Sequence, residues 1–466
     1  VTLELAREHH RAGRLAEAEA VYREVLRAAP ANAEVLHGLG LIALQREDYA
    51  SALDLIEEAS GRYPSNPVFL SNLAAAYQKL SCPERALECC ERALQLDPRF
   101  GPAHSNRGNA LAALGRHDES EASYTKALEL GPVTSQARLN VGLARLMRGD
   151  YAAGLPLYEA RLAAASAGEG DTGRLLHKLQ TVPRWRGEKL DGKRILVWTE
   201  QGLGDTVMMV RYLPLLKESG ARHLAVCCEP ALVRLVQQVA GIDEVFSEVE
   251  SPDWPSRFDV HSPTMSLPLG FGTTVDTIPR RVPYLNVPEP LSRKWRETVS
   301  NLPSPRVGLV WSGGKQSQAD ADRSIALASF APLLANRRIS FVSLQKGPGA
   351  SQLVHDRRGI ADWMDGCDDL LDTAALISAL DLVICVDTAV AHVAGALGKP
   401  LWLLNRRSSE WRWLLERSDS PWYPGARIFR RRGPDWAHVI DEVAAALAAH
   451  FPPPTLAGRV RRLFRG

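Results

Sequence analysis

The sequence predicts a molecule in two parts, an α-solenoid of paired helices followed by an α/β region built on parallel sheets. Three observations carry this prediction. Prolines fall at 30, 64, 98 and 132, each 34 residues after the last. From Arg194 onward, short apolar runs alternate with Gly-rich turns and helix-like stretches. The run Asp381–Leu404 reads as strand, helix and strand in immediate succession. A chain of 466 residues is also too long for one ordinary core.

A 34-residue period with proline closing the second helix is the tetratricopeptide pattern. Other positions keep step with the prolines. Twenty-four residues before each stand Ala6, Gly40, Ala74 and Gly108, small residues suited to a close helix approach; twelve before stand Ala18, Ala52, Ala86 and Ser120. Eight before stand Tyr22, Ile56, Cys90 and Tyr124. A fifth unit continues through Gly142, Gly154 and Tyr158 before the register dissolves. Such helix pairs bury their apolar faces only by stacking, so a superhelix with a concave face is expected over 1–162. Asn72, Asn106 and Asn140 recur at the same period. Two readings fit them: hydrogen bonding to an extended acceptor polypeptide, or contacts internal to the array. Asn32 and Asn66, just after prolines, fit turns. Ala-, Gly- and Ser-rich sequence marks a junction over 163–185.

Arg194–Glu200 reads as a strand closing on Gln-Gly-Leu-Gly-Asp205 and a helix, with further strands at His223–Glu229 and Glu244–Phe246. Gly202 and Gly204 allow a sharp backbone turn and set Asp205 at the helix start, where a carboxylate serves as a cap or as a base. Residues 260–272, rich in Pro and Gly, read as a loop. After a proline-rich passage at 283–290, the next strands are Arg306–Trp311, closing on Ser-Gly313-Gly-Lys315, and Ile339–Leu344, closing on Gln345-Lys346. Lys315, Arg323 and Lys346 are cations available to an anion; single Lys and Arg residues are more often solvated surface charge.

Leu382–Val386 is an apolar run without polar alternation, as for a strand buried on both faces. Asp387 and Thr388 are N-cap residues for a helix stopped by Gly398 and Pro400. The turn lies at a strand's carboxyl end, and the helix N-terminus suits a diphosphate. His392 shares a helix face with Thr388. Spacing alone favours a capped core helix with a buried histidine over an anion site, because capping residues are common.

Lys and Arg total 56 against 54 Asp and Glu, a balance that argues against general nucleic-acid binding. Seven scattered cysteines without a C-x-x-C fit a reducing compartment, and no signal peptide or membrane span is visible, so the expected setting is the cytoplasm. Asp320-Ala-Asp322 matches a D-x-D metal motif by chance in a polar loop, and no metal is expected. Trp411-Arg-Trp413 and Trp422-Tyr423 form an aromatic cluster suited to stacking on a ligand or to packing. The arginines at 459–465 read as a solvated basic tail.

The Gly-Leu-Gly-Asp205 turn, Arg323-Ser324, Gln345, the motif Asp387-Thr388-x-x-x-His392-x-Ala394-Gly395-Ala-Leu-Gly398-x-Pro400 and Trp411-Arg-Trp413 together resemble bacterial tetratricopeptide-fused, heptosyltransferase-like (family 9-like) glycosyltransferases. The resemblance covers about residues 190–440, and the repeats extend it to nearly the whole chain. It implies a GT-B fold of two Rossmann-like lobes, an acceptor lobe over 186–290 and a donor lobe over 291–450, then the tail at 451–466. It implies an inverting, metal-independent glycosyltransferase without a cofactor, with a nucleotide-sugar as co-substrate. Asp205 takes the role of catalytic base, with Gly202 and Gly204 shaping its turn. Gly313, Arg323, Gln345, Lys346, Asp387, Thr388, Ala389 and His392 take the donor. The same architecture occurs in protein O-glycosyltransferases, which implies an acceptor protein recruited by the repeats through Asn72, Asn106 and Asn140, with flagellin the first to try. A lipopolysaccharide-type glycan acceptor, or a scaffold with a degenerate transferase unit, are the alternatives. Where the family commonly has Asn-Pro and His after the Trp-x-Gly turn, this chain has Gly314, Lys315 and Ser317, which leaves the sugar donor open.

Overall fold

The structure is a computed structural model and describes residues 2–131, 134–166, 171–247, 254–314, 322–355, 359–407, 409–433 and 435–453. Pro132, Lys315, Asp320 and the basic tail lie outside the described residues. The chain divides into two compact units, Val1–Arg145 with Pro156–Ala164, and Leu146–Leu155 with Ala165–Gly466.

The first unit is built of antiparallel helix pairs: Leu3–Arg11 with Leu15–Ala28, Ala33–Gln45 with Tyr49–Arg62, Pro67–Lys79 with Pro83–Leu96, and Gly101–Ala113 with His117–Leu130. The period has a direct steric cause. A methyl group on Gly40 would sit 2.5 Å from Cγ1 of Ile56, and one on Gly108 would sit 2.5 Å from the ring of Tyr124. Ala6 and Ala74, at the equivalent positions, are fully buried. Asn32 and Asn66 cap the helices that follow them, each accepting two backbone N–H groups.

The second unit carries two wholly parallel sheets. The first has strands β1 (Arg194–Trp198), β2 (His223–Cys227), β3 (Glu244–Phe246) and β4 (Val260–Pro263) in the order β3-β2-β1-β4. The second has β5 (Arg306–Val310), β6 (Ser340–Ser343), β7 (Ala361–Asp362), β8 (Leu382–Val386), β9 (Leu401–Asn405) and β10 (Ala426–Arg430) in the order β10-β9-β8-β5-β6-β7. Residues 260–263, expected as loop, form β4, because a buried strand ending at Pro263 pairs parallel with β1 before the proline halts it. The junction expected over 163–185 is largely helical, with helices Ala160–Ser166 and Asp171–Lys178.

Residues 146–155, expected within the repeat array, pack with the second unit. Tyr151 is fully buried there, its hydroxyl accepts the Trp422 indole N–H at 3.1 Å, and its ring meets Trp411 edge-on at 5.8 Å. The backbone N–H of Leu415 donates to Met147 O at 3.1 Å. Among the described residues, no helix is long and apolar enough to cross a membrane.

Candidate active site

Strand order decides where the candidate residues meet. In the first sheet the order reverses at β1, whose neighbours are β2 and β4; in the second it reverses at β5, between β6 and β8. Ligands of open α/β sheets bind at such switch points, beyond the carboxyl ends of the strands. The turn after β1 carries Gly202, Gly204 and Asp205, and the turns after β5 and β8 carry Gly313 and Asp387.

The helix Leu203–Met209 packs against the helix Ala389–Ala396. Gly204 lies in this contact without room for a side chain: a Cβ there would lie 2.5 Å from His392 Cδ2 and 3.3 Å from the Ala389 Cα. Asp205, third residue of its helix, therefore stands beside the Asp387–His392 motif. Its Oδ2 accepts the Gly202 N–H at 3.1 Å, a carboxylate reaching back to the N-cap. Its Oδ1 is ion-paired with Arg412. Burial pushes the Asp205 carboxyl above the usual range, opposed by Arg412 and reinforced by Glu410.

His392 is buried, stacked on Trp413 at 5.2 Å, with Nδ1 2.9 Å from the Tyr423 hydroxyl. Burial, then Arg412 and Arg211, hold it well below the usual histidine range, so the ring is neutral. Its Nε2 lies 4.0 Å from Asp387 Oδ1. Asp387 is buried, and desolvation together with Glu410 raises its carboxyl to about 6. Thr388 stands at the N-cap position with extended backbone but, contrary to expectation, makes no capping bond. Its Oγ1 is buried and has no hydrogen-bond partner among the described residues. Ala389, half-buried, opens the helix.

Arg323 donates to the Asp387 carbonyl at 2.8 Å, which ties the segment after β5 to the turn after β8. Gly313 N–H donates to Ser324 Oγ at 3.1 Å. Gln345 is buried beneath the same turn: its Oε1 accepts the Trp311 and Ser312 N–H groups, and its Nε2 donates to the Ser312 and Lys346 carbonyls. The Gln345 amide thus braces the turn. Lys346 reaches the Cys367 carbonyl. Asp322 is held by Arg431, while its D-x-D partner Asp320 falls outside the described residues.

A cavity of about 1000 Å³ opens beyond β1, β2 and β3, with Glu200, Gln201, Gly202, Leu203 and Glu229 in its lining. It reaches the turn that carries Asp205. In the first unit, Asn72 Nδ2 lies 2.8 Å from His37 Nε2, Asn106 Nδ2 donates to the Ser71 carbonyl at 2.9 Å, and Asn140 Nδ2 donates to Asn109 at 3.3 Å. Each amide therefore bonds to the neighbouring inner helix.

Two arginines escaped the sequence reading. Arg412 sits between two tryptophans that drew attention as aromatics. Arg211 is buried, donates to the carbonyls of Met208, Pro279 and Trp422, and lies 4.8 Å from the Tyr423 ring centroid. Both read as ordinary helix or loop charges; only an arginine followed by tyrosine in an apolar run, as at 210–213, hinted at burial.

Comparison with known proteins also puts repeats first and a transferase segment last, although the repeat match runs on through residues 146–155, which pack with the second unit. Tetratricopeptide-repeat models match residues 3–67 and 105–169, and another matches 67–100. The glycosyltransferase family 9 (heptosyltransferase) model matches residues 366–432, a span that holds Asp387, Thr388, His392 and Arg412 but not Asp205. Protein FlbA of Caulobacter vibrioides is 28% identical over 96% of this chain and 83% of its own length. The small glutamine-rich tetratricopeptide repeat-containing protein 2 of Mycosarcoma maydis is 36% identical over 24% of this chain, which spans 32% of that protein. Among solved structures, a thermophilic tetratricopeptide protein of Thermus thermophilus matches 38% of this chain and 95% of its own at 25% identity, with a TM-score of 0.32. The chain joins amino-terminal tetratricopeptide repeats to a carboxyl-terminal glycosyltransferase family 9 segment.

Proposed function

We propose that this chain is an inverting GT-B glycosyltransferase that moves a sugar from a nucleotide-sugar to a hydroxyl of a protein acceptor. The observation that carries the reading is the approach of Gly204 to His392, which sets a candidate base beside a candidate donor site. The donor diphosphate lies at the N-terminus of Ala389–Ala396, where free N–H groups and the unpartnered Thr388 hydroxyl face it. Arg323 fixes the Asp387 turn, and Gln345 fixes the Gly313 turn for close backbone approach. Lys346 adds positive charge at the neighbouring turn. Asp205 takes the proton of the acceptor hydroxyl as its oxygen bonds to the anomeric carbon. The bond from that carbon to the diphosphate breaks, and the nucleotide leaves with the electron pair. Helix dipole and arginine stabilise the leaving charge without a metal.

The repeats recruit the acceptor polypeptide on their inner helices, whose surface Asn72, Asn106 and Asn140 order, and flagellin is the first acceptor to test. The reaction is assigned to the cytoplasm, where nucleotide-sugars are made. The test is a thermal-shift screen of ADP-heptose, UDP-hexosamines and CMP-nonulosonates. A donor at a hundred times its Kd adds about 2.7 kcal/mol of stability. The shift is expected for one nucleotide class and lost in Thr388→Val; no shift with any of them contradicts the donor site.

A further inference from the structure

We propose that Arg412 is a positioning residue that orients Asp205 and keeps it as a carboxylate, and that Glu410 tempers this hold. The inference rests on the reading of Asp205 as the base. Arg412 is almost fully buried and comes from the short turn Trp411–Trp413 after β9. One end of its guanidinium pairs with Asp205 Oδ1 and lies 3.3 Å from Gln201 Oε1, in the same turn as Asp205. The other end lies 3.4 Å from Glu410 Oε2. The guanidinium stands over the Trp411 ring at 5.1 Å, and Trp411 is itself packed on the buried Tyr151 and Trp422. The arginine is thus held from behind by the Trp411 ring, with one end on the Asp205 turn and the other on Glu410.

The chemistry requires such a partner. A carboxylate largely withdrawn from water, as the half-buried Asp205 is, shifts toward the neutral acid unless a fixed positive charge faces it. A neutral acid cannot accept the hydroxyl proton. Arginine is suited because it stays charged at every working pH, where a buried lysine would lose its proton. Each carboxylate oxygen has two lone pairs, and Arg412 on Oδ1 and the Gly202 N–H on Oδ2 take one apiece. A lone pair therefore remains for the incoming proton. Other ionisable groups bear on the same place. His392 meets the turn at Gly204 and is neutral, Asp387 feels both Arg412 and Glu410, and Glu200 opens the turn with its Oε1 accepting the Met265 N–H. Glu410 is the anion that partly cancels Arg412, being shared between it and Arg406.

The test reads Asp205 itself and needs no donor. Full-length protein carrying carbon-13 in its Asp carboxyl groups is titrated by NMR, with the Asp205 signal assigned by its loss in Asp205→Asn. Arg412→Gln is expected to raise the Asp205 midpoint by more than one pH unit, and Glu410→Gln to lower the midpoint. Opposite signs for neighbouring substitutions distinguish charge from a loosened fold, and the more exposed Glu410 keeps the test open if Arg412→Gln unfolds. An unchanged midpoint in Arg412→Gln, or a shift of the same sign in Glu410→Gln, overturns the proposal while leaving the base assignment standing. Full transfer by Asp205→Asn ends the base assignment without touching the titration.

Discussion

Gly204 and His392 are in van der Waals contact across two helices, with room for a hydrogen but not for a methyl group: a Cβ at 204 would meet the imidazole at 2.5 Å. The ring cannot yield cheaply, because Trp413 stacks on one side and Tyr423 holds Nδ1. Gly204→Ala is therefore expected to destabilise the second unit by about 1–3 kcal/mol, the usual cost of overpacking. It should also weaken donor binding, since Ala389 lies in the path of relief. Urea denaturation compared with Gly202→Ala, whose Cβ meets nothing closer than 3.4 Å, checks the steric account. Equal stability of the two variants contradicts it.

Asp387 gives a pH signature. Its folded carboxyl titrates near 6, above the value of 3.8 for an unperturbed aspartate. Between those values the folded chain holds a proton that the unfolded chain has released, so stability falls as pH rises through the window. Above pH 6 the full cost applies, on the order of 3 kcal/mol. Asp387→Asn removes the charge with little change of shape. The variant should be more stable than the parent at pH 8, lose that advantage near pH 4, and bind donor poorly. Denaturation curves at the two pH values decide; lower stability of the variant at both contradicts the burial argument.

Tyr151 tests where the units divide. A protein beginning at residue 146 keeps the Trp411–Tyr151–Trp422 packing, and one beginning at 163 loses it. The shorter chain should melt at the lower temperature. In the full chain, Tyr151→Phe strands the Trp422 indole N–H, at a cost of about 1–3 kcal/mol. Calorimetry of the set is the check, and equal melting of the two truncations refutes this boundary.

Metal independence is a further expectation. Transfer should survive EDTA, since the proposed mechanism assigns the leaving charge to Arg323 and the helix N-terminus, and Arg431 occupies Asp322. Loss on chelation with recovery on Mn²⁺ reverses it.

What was legible in the sequence was local or periodic. The 34-residue step is visible because each close approach, such as Gly40 on Ile56, pairs residues 16 apart within one helix pair. β8 was readable to the residue, as five apolar positions between Asp381 and Asp387. β4 is hidden by Pro263 at its end, and β7, two residues long, leaves no periodicity to find. At the site, the turns were visible but their pairings were not. Asp205 and Arg412 are 207 positions apart, and nothing local marks a charge that finds its partner only after both sheets have formed. Gln345 stands just after β6, yet its side chain faces inward, a direction that strand position alone does not fix.

The central claim is that Asp205 and the Asp387–His392 motif serve one transfer reaction. The most direct measurement is intact-protein mass spectrometry of purified flagellin incubated with the nucleotide-sugar identified by thermal shift, using the parent chain and Asp205→Asn. The account predicts that the parent adds the mass of one sugar per modified Ser or Thr, and that the Asn variant binds the donor with the same affinity yet adds none. Undiminished sugar addition by Asp205→Asn would contradict it.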